Sequence, residues 1–131
     1  MSHHVLFVDD EANVLHGLAR ALRGQPYRIL TARSAEEAMW TLKTHPVDVV
    51  VTDEQMPGMS GTEFLTWVAS HFPEVIRIVL TGHATVPATI RAINEGKVYR
   101  YFTKPCRDVE LALAIRHAIE EKDAVGAQQD G

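Results

Sequence analysis

Five residues able to do chemistry follow directly on short apolar runs. Asp9 and Asp10 close Val5-Leu6-Phe7-Val8, Asp53 closes the run from Val47 to Thr52, Thr81 follows Val75 to Leu80, and Lys104 follows Val98 to Thr103. A lone acid in such a place is ordinarily a turn residue or a helix cap, because its carboxylate bonds nearby backbone N–H groups. The set carries the argument. If these runs are neighbouring strands, three carboxylates, a hydroxyl and an ammonium meet at one rim. Like charges in a small space disfavour one another's ionisation unless a cation neutralises them. Magnesium suits that role: it is a hard cation that takes one or two carboxylates, keeps several waters and coordinates phosphoryl oxygens. Lys104 and Thr81 add a positive charge and a hydroxyl donor, which suit a phosphoryl group spread over several oxygens. One carboxylate is then left as nucleophile, and Asp attack on phosphorus to give an aspartyl phosphate is a known form of covalent catalysis. Asp53, central among the others, is the candidate.

The elements that must position these residues can be read from the pattern. Val47 to Thr52 is β-branched and too apolar to leave one face wet, so it fits a strand buried on both sides of a parallel sheet. Pro57 and Gly58 cannot continue it, which puts Asp53 at the strand's carboxyl end, the rim where open α/β sheets bind ligands. His3 to Asp9, Tyr27 to Ala32, Val75 to Leu80 and Val98 to Thr103 read as the other strands. Helices are predicted over Asn13 to Arg23, from the Ser34 cap to about Thr44, and over Gly61 to Phe72, Val86 to Asn94 and Asp108 to Lys122. In the last of these, Val109, Ala112, Ile115 and Ile119 are expected to face inward. Trp40 and Trp67 read as packing residues. Tyr99 and Tyr101 are expected on the same side of their strand. Asp123 to Gly131 is polar and without pattern. Strands alternating with helices imply a doubly wound parallel sheet in a single α/β domain, covered on both faces, with right-handed crossovers.

Composition limits the function classes. The 131 residues suit one domain, and 46% hydrophobic with 23% charged residues is ordinary globular usage. A formal charge of -4 lacks the basic stripe of a nucleic-acid binder, so no direct nucleic-acid contact is expected. No apolar run reaches the roughly 18 residues of a membrane span, and no signal-peptide pattern is present, so no membrane contact and a cytoplasmic location are expected. Cys106 is the single cysteine, which excludes an internal disulfide and a cysteine-based zinc cluster. It reads as a partly packed free thiol.

Taken together, Asp9-Asp10-Glu11, the stretch from Asp53 to Gly61 with Met56-Pro57, Thr81-Gly82, and Tyr99 to Pro105 resemble a response-regulator receiver domain (CheY-like), over roughly residues 4 to 122. The resemblance implies the flavodoxin-like strand order 2-1-3-4-5 with five helices. It further implies that Asp53 accepts the phosphoryl group, and that Asp10 and Asp53 bind Mg2+ directly with the Gln55 carbonyl, Asp9 acting through a bound water. Lys104 would pair with the phosphoryl group or Asp53, Thr81 would receive a phosphoryl oxygen, Tyr101 would be the switch aromatic, and Lys104-Pro105 a cis peptide. Gln55 and His83 stand at positions that tune phosphate lifetime; the plainer alternative for His83 is a solvated loop histidine. The implied partners are a sensor histidine kinase or phosphotransfer protein, and an output domain or partner that reads the face of helix four, strand five and helix five.

Residues 1–122 are thus expected to form the receiver, and 123–131 to begin a linker to an output domain, with a stand-alone receiver as the alternative. The chain would be no enzyme beyond its own phosphorylation and dephosphorylation. The stretch from Ala92 to Pro105 also resembles receivers attached to HD-type cyclic-dinucleotide phosphodiesterases, with DNA-binding and kinase outputs left open. Other classes fit less well. A flavodoxin-type redox protein needs a hydroxyl- and glycine-rich phosphate loop where Asp9, Asp10 and Glu11 stand, and an aspartate-nucleophile phosphatase wants a second acid where Gln55 stands.

Overall fold

Alternation along each strand builds two separate cores. In the computed structural model, which describes residues 2–130 with side chains through Val125, the strands are β1 (His4–Val8), β2 (Arg28–Ala32), β3 (Val49–Thr52), β4 (Ile76–Thr81) and β5 (Arg100–Thr103). The helices are α1 (Ala12–Ala21), α2 (Ala35–Thr44), α3 (Gly61–His71), α4 (Val86–Glu95) and α5 (Asp108–Asp130). All strand pairs are parallel, in the order β2-β1-β3-β4-β5. Leu6, Val8, Val50 and Val79 face a core built with Ala38, Leu42, Phe64, Leu65, Val68 and Ala92 of α2, α3 and α4. Val5, Phe7, Val49, Val51, Ile78 and Leu80 face the opposite core, with Leu15 of α1 and Leu111, Ile115 and Ala118 of α5. Successive side chains of a strand point to opposite faces, so a fully apolar strand fills both layers. Burying each Val, Leu, Ile or Phe is worth about 1.5–3 kcal/mol.

Register then aligns the strand ends. Val8 lies opposite Thr52, Thr52 opposite Val79, and Thr81 opposite Thr103. Asp9 and Asp53, the next residues after β1 and β3, therefore emerge at the same rim as Thr81, the last residue of β4, and Lys104, the next after β5. Capping fixes where the helices begin: the Ser34 hydroxyl accepts the Glu37 N–H, Thr85 accepts that of Ala88, and Ser60 and Glu63 form a reciprocal capping box.

Several expectations change. Val109 is 69% exposed, because it stands beside the inward Ala112–Ile115–Ile119 stripe of α5 and not on it. Trp40 is 63% exposed, with its ring edge toward His45; α2 turns Ala38 and Leu42 to the core and leaves position 40 on the outer side. Trp67 does pack, between His71 and Phe72. Tyr99 and Tyr101 lie against opposite cores, since Tyr99 precedes the first residue of β5. The polar segment after Lys122 is helical: α5 continues to Asp130, as suits Glu, Lys, Ala and Gln. Lys122 and Asp123 tie that helix back to the sheet, Lys122 through Asp48 at 2.7 Å and Asp123 through His3 at 3.1 Å.

Candidate functional site

The rim collects the residues that the strand ends deliver. Carboxylate oxygens of Asp9, Asp10 and Asp53 all lie within 4.8 Å of one another. Asp9 and Asp53 are almost fully buried, whereas Asp10 is half-buried. Two of the three acids are held by main-chain N–H groups. Asp9 Oδ1 accepts the Glu11 N–H at 2.9 Å, and Asp53 Oδ1 accepts the Glu54 N–H at 2.7 Å. Lys104 reaches the cluster from β5, but its Nζ contacts Asp9 Oδ2 at 3.1 Å instead of Asp53. Lys104-Pro105 is a cis peptide, as the resemblance implied.

Such a donor set fits a hard divalent cation. Three carboxylates, two of them buried, meet one ammonium, so negative charge is in excess in a place water reaches poorly.

Thr81 is buried at the end of β4, and its hydroxyl oxygen accepts the His83 N–H at 3.1 Å. Tyr101 lies half-buried against the core that includes Ala92 of α4, its hydroxyl enclosed without a hydrogen-bond partner among the described residues. Gln55 and His83 are both exposed and line one cleft of about 590 Å³, together with Glu54, Met56, Pro57, Thr85 and Arg91. Sequence reasoning therefore brought together residues that share one rim, with Gln55 and His83 on its α4 side.

Glu54 was missed. It is only 5% exposed, and the buried Thr62 hydroxyl donates to its Oε2 at 2.7 Å. Burial pushes its pKa up; hydrogen bonds from Thr62 and the Arg91 charge pull the other way, and Asp53 adds to the rise. No periodicity joins positions 54 and 62. They meet because the chain folds back through Pro57 and through Gly58, whose φ of 81° suits glycine. Gly61, at the start of α3, presses on the Asp53 carbonyl so closely that a β-carbon there would overlap it. Cys106 is half-buried, and burial, then Glu110 and Asp108, raise its pKa, which keeps the thiol from a reactive thiolate.

With this geometry in hand, comparison with known proteins is decisive: residues 5–116 match the response regulator receiver domain. The chain belongs to that family. Relatives of the receiver include the hydrogenase transcriptional regulatory protein HoxA of Cupriavidus necator, 38% identical over 122 residues, which are 93% of this chain and 25% of HoxA. The transcriptional regulatory protein GlrR of Escherichia coli K12 is 33% identical over 124 residues, 92% of this chain and 28% of that protein. The receiver thus spans about a quarter of the length of these curated relatives. Among solved structures, the signal receiver domain of an HD domain-containing protein from Pseudomonas fluorescens Pf-5 superposes with a TM-score of 0.92 at 35% identity, covering 95% of this chain and 99% of that one. The beryllofluoride-activated NtrC4 receiver domain dimer gives 0.83 at 34% identity, covering 91% and 98%. Receivers are signalling domains, and the match sets aside the flavodoxin-type reading, which shared only topology. No helix among the described residues is long and apolar enough to cross a membrane.

Proposed function

We propose that this receiver is a phosphorylation-dependent switch of a two-component system, with Asp53 as phosphoacceptor. The supporting observation is the meeting of Asp9, Asp10 and Asp53 within 4.8 Å beside Lys104. Asp53 Oδ1 is engaged by the Glu54 N–H, which leaves Oδ2 as the attacking oxygen. In the transfer, an O–P bond forms at Asp53 as the N–P bond to a donor phosphohistidine breaks, and the imidazole leaves with the electron pair. Mg2+, held by Asp10, Asp53 and the Gln55 carbonyl with Asp9 through water, would supply charge neutralisation at the phosphoryl oxygens. Lys104, freed from Asp9, would pair with the added phosphoryl group, and Thr81 would donate its hydroxyl to it.

That donation couples the site to a surface. The Thr81 hydroxyl would turn from the His83 N–H toward the phosphoryl group, and Tyr101 would settle into the space behind it. Val86, Ile90 and Ile93 of α4 and Val109 and Leu113 of α5 are exposed apolar residues near that face, which supports partner reading of α4, β5 and α5. Gln55 and His83, sharing one cleft, would set phosphate lifetime by limiting the approach of water. The donor would be a sensor histidine kinase or phosphotransfer protein in the cytoplasm. Residues 1–122 form the receiver in this reading, and 123–131 lead toward an output domain. The domain catalyses only its own phosphorylation and dephosphorylation.

Incubation with Mg2+ and acetyl phosphate, read by intact mass, tests the assignment. One added phosphoryl group is expected, lost in Asp53→Asn. Equal labelling of Asp53→Asn would refute it.

A further inference from the structure

We propose that Glu54 is a positioning residue for phosphoryl transfer: clipped by Thr62, it fixes the main-chain N–H that orients the Asp53 carboxylate. This inference rests on Asp53 being the acceptor. Its starting point is an acid that the acidic rim does not use. Glu54 is 5% exposed and Thr62 2%, and the Thr62 hydroxyl donates to Glu54 Oε2 at 2.7 Å. Burying a carboxylate costs free energy unless hydrogen bonds satisfy it, and an apolar pair of similar volume would fill the same space as stably or more so. A hydrogen-bonded pair adds direction, which apolar packing does not.

The direction is transmitted over a few bonds. The Gly61 N–H donates to the Glu54 carbonyl at 2.9 Å, and the Thr52 hydroxyl donates to the Asp53 carbonyl at 2.9 Å. The Gly61–Glu54 and Thr62–Glu54 bonds join the end of β3 to the first turn of α3 through both the main chain and a side chain, while the Thr52 bond holds the Asp53 carbonyl locally. That turn is itself fixed by the Ser60–Glu63 capping box. The Glu54 N–H that leaves this assembly points at Asp53 Oδ1, 2.7 Å away. Without the clip, the peptide between Asp53 and Glu54 keeps one anchor fewer, and the carboxylate samples orientations in which its free oxygen misses the line of attack. The Gln55 carbonyl, one residue on, would lose definition with it. A misplacement of about 1 Å can cost up to about a hundredfold in rate.

The test uses the full chain with Mg2+ and acetyl phosphate as the donor, following labelling rate by mass across donor concentrations. Thr62→Val and Thr62→Ala, which both lack the hydroxyl, are expected to lower the saturating rate about tenfold or more, while the half-saturating donor concentration stays near that of the parent. Thr62→Ser restores the donor and the rate. Glu54→Gln, whose carboxamide oxygen still accepts from Thr62, keeps most of it. If Thr62→Val does not fold, Thr62→Ala carries the comparison, since it removes the hydroxyl without adding a methyl group. Parental saturating rates in a folded Thr62→Ala would overturn the proposal. So would a rate lost equally in Thr62→Ser or Glu54→Gln, because these keep the hydrogen bond. Failure of the acceptor assignment is recognised separately, by undiminished labelling of Asp53→Asn.

Discussion

Substituting Gly61 by alanine should strike stability and site together. A β-carbon at Gly61 would overlap the Asp53 carbonyl oxygen and stand 2.9 Å from Glu54 Cα and 3.0 Å from the Asp53 carbonyl carbon. Unstrained carbon contacts lie at about 3.5–4.0 Å, so the backbone must part by roughly half an ångström to one ångström. Nothing there is a flexible side-chain end that could swing aside. The Asp53 carbonyl is held by the Thr52 hydroxyl, and the Gly61 N–H by the Glu54 carbonyl. Overpacking of this kind costs about 1–3 kcal/mol, and the helix propensity gained by alanine, at most about 1 kcal/mol, is smaller still at a first helical position. At roughly 4 °C per kcal/mol for a domain of this size, the midpoint should fall by about 4–12 °C. Gly17→Ala is the control. Gly17 lies exposed within α1, where a β-carbon would meet nothing among the described residues within 4 Å outside its own turn of helix, so that variant should gain about 0.5–1 kcal/mol. Thermal unfolding by circular dichroism measures both, and acetyl phosphate labelling of the folded Gly61→Ala protein should slow as Asp53 shifts. A Gly61→Ala protein that melts at or above the parent would refute the steric reasoning.

Other outcomes follow from the same contacts. With Mg2+ and beryllofluoride, NMR shifts along residues 82–104 should shrink in Thr81→Ala, since a charge-assisted hydrogen bond of about 1.5–3 kcal/mol is what biases the loop; unchanged shifts would sink the coupling. His83→Ala should alter phosphate decay more than labelling, and equal decay rates at matched pH would return His83 to a solvated loop residue. Burial alone would raise the Asp48 pKa, but Lys122, the His4 N–H and His3 together hold it below the usual carboxylate value. Its folded pKa is depressed, so its stability contribution is complete above about pH 4 and is lost as pH falls through the lower folded value. Asp48→Asn should therefore flatten the acid limb of the stability curve below about pH 4, read by urea unfolding; an unchanged limb would refute the pairing with Lys122 as its source.

The strands, their parallel arrangement and the rim were legible in the sequence because apolar β-branched runs have few alternatives, and because each run ends at a polar residue. Asp9, Asp10, Asp53, Thr81 and Lys104 could be placed by that rule alone, and the family pattern supplied strand order and the cis peptide. Periodicity could not tell which shoulder of a helix stays wet, so Val109 and Trp40 were turned the wrong way. It also could not carry α5 past Lys122, since a polar helix has no apolar stripe to reveal it. Lys104 pairs with Asp9 because distances across the rim, and no spacing along the chain, decide which carboxylate an ammonium meets. The Glu54–Thr62 clip belongs to the same class: its partners are joined by a turn whose path is set by Gly58 and by the pressing of Gly61 on Asp53. Sequence determined which groups reach the rim, through local patterns that act over a few residues. Tertiary structure decided which of them touch, because contact between separate elements depends on how those elements pack.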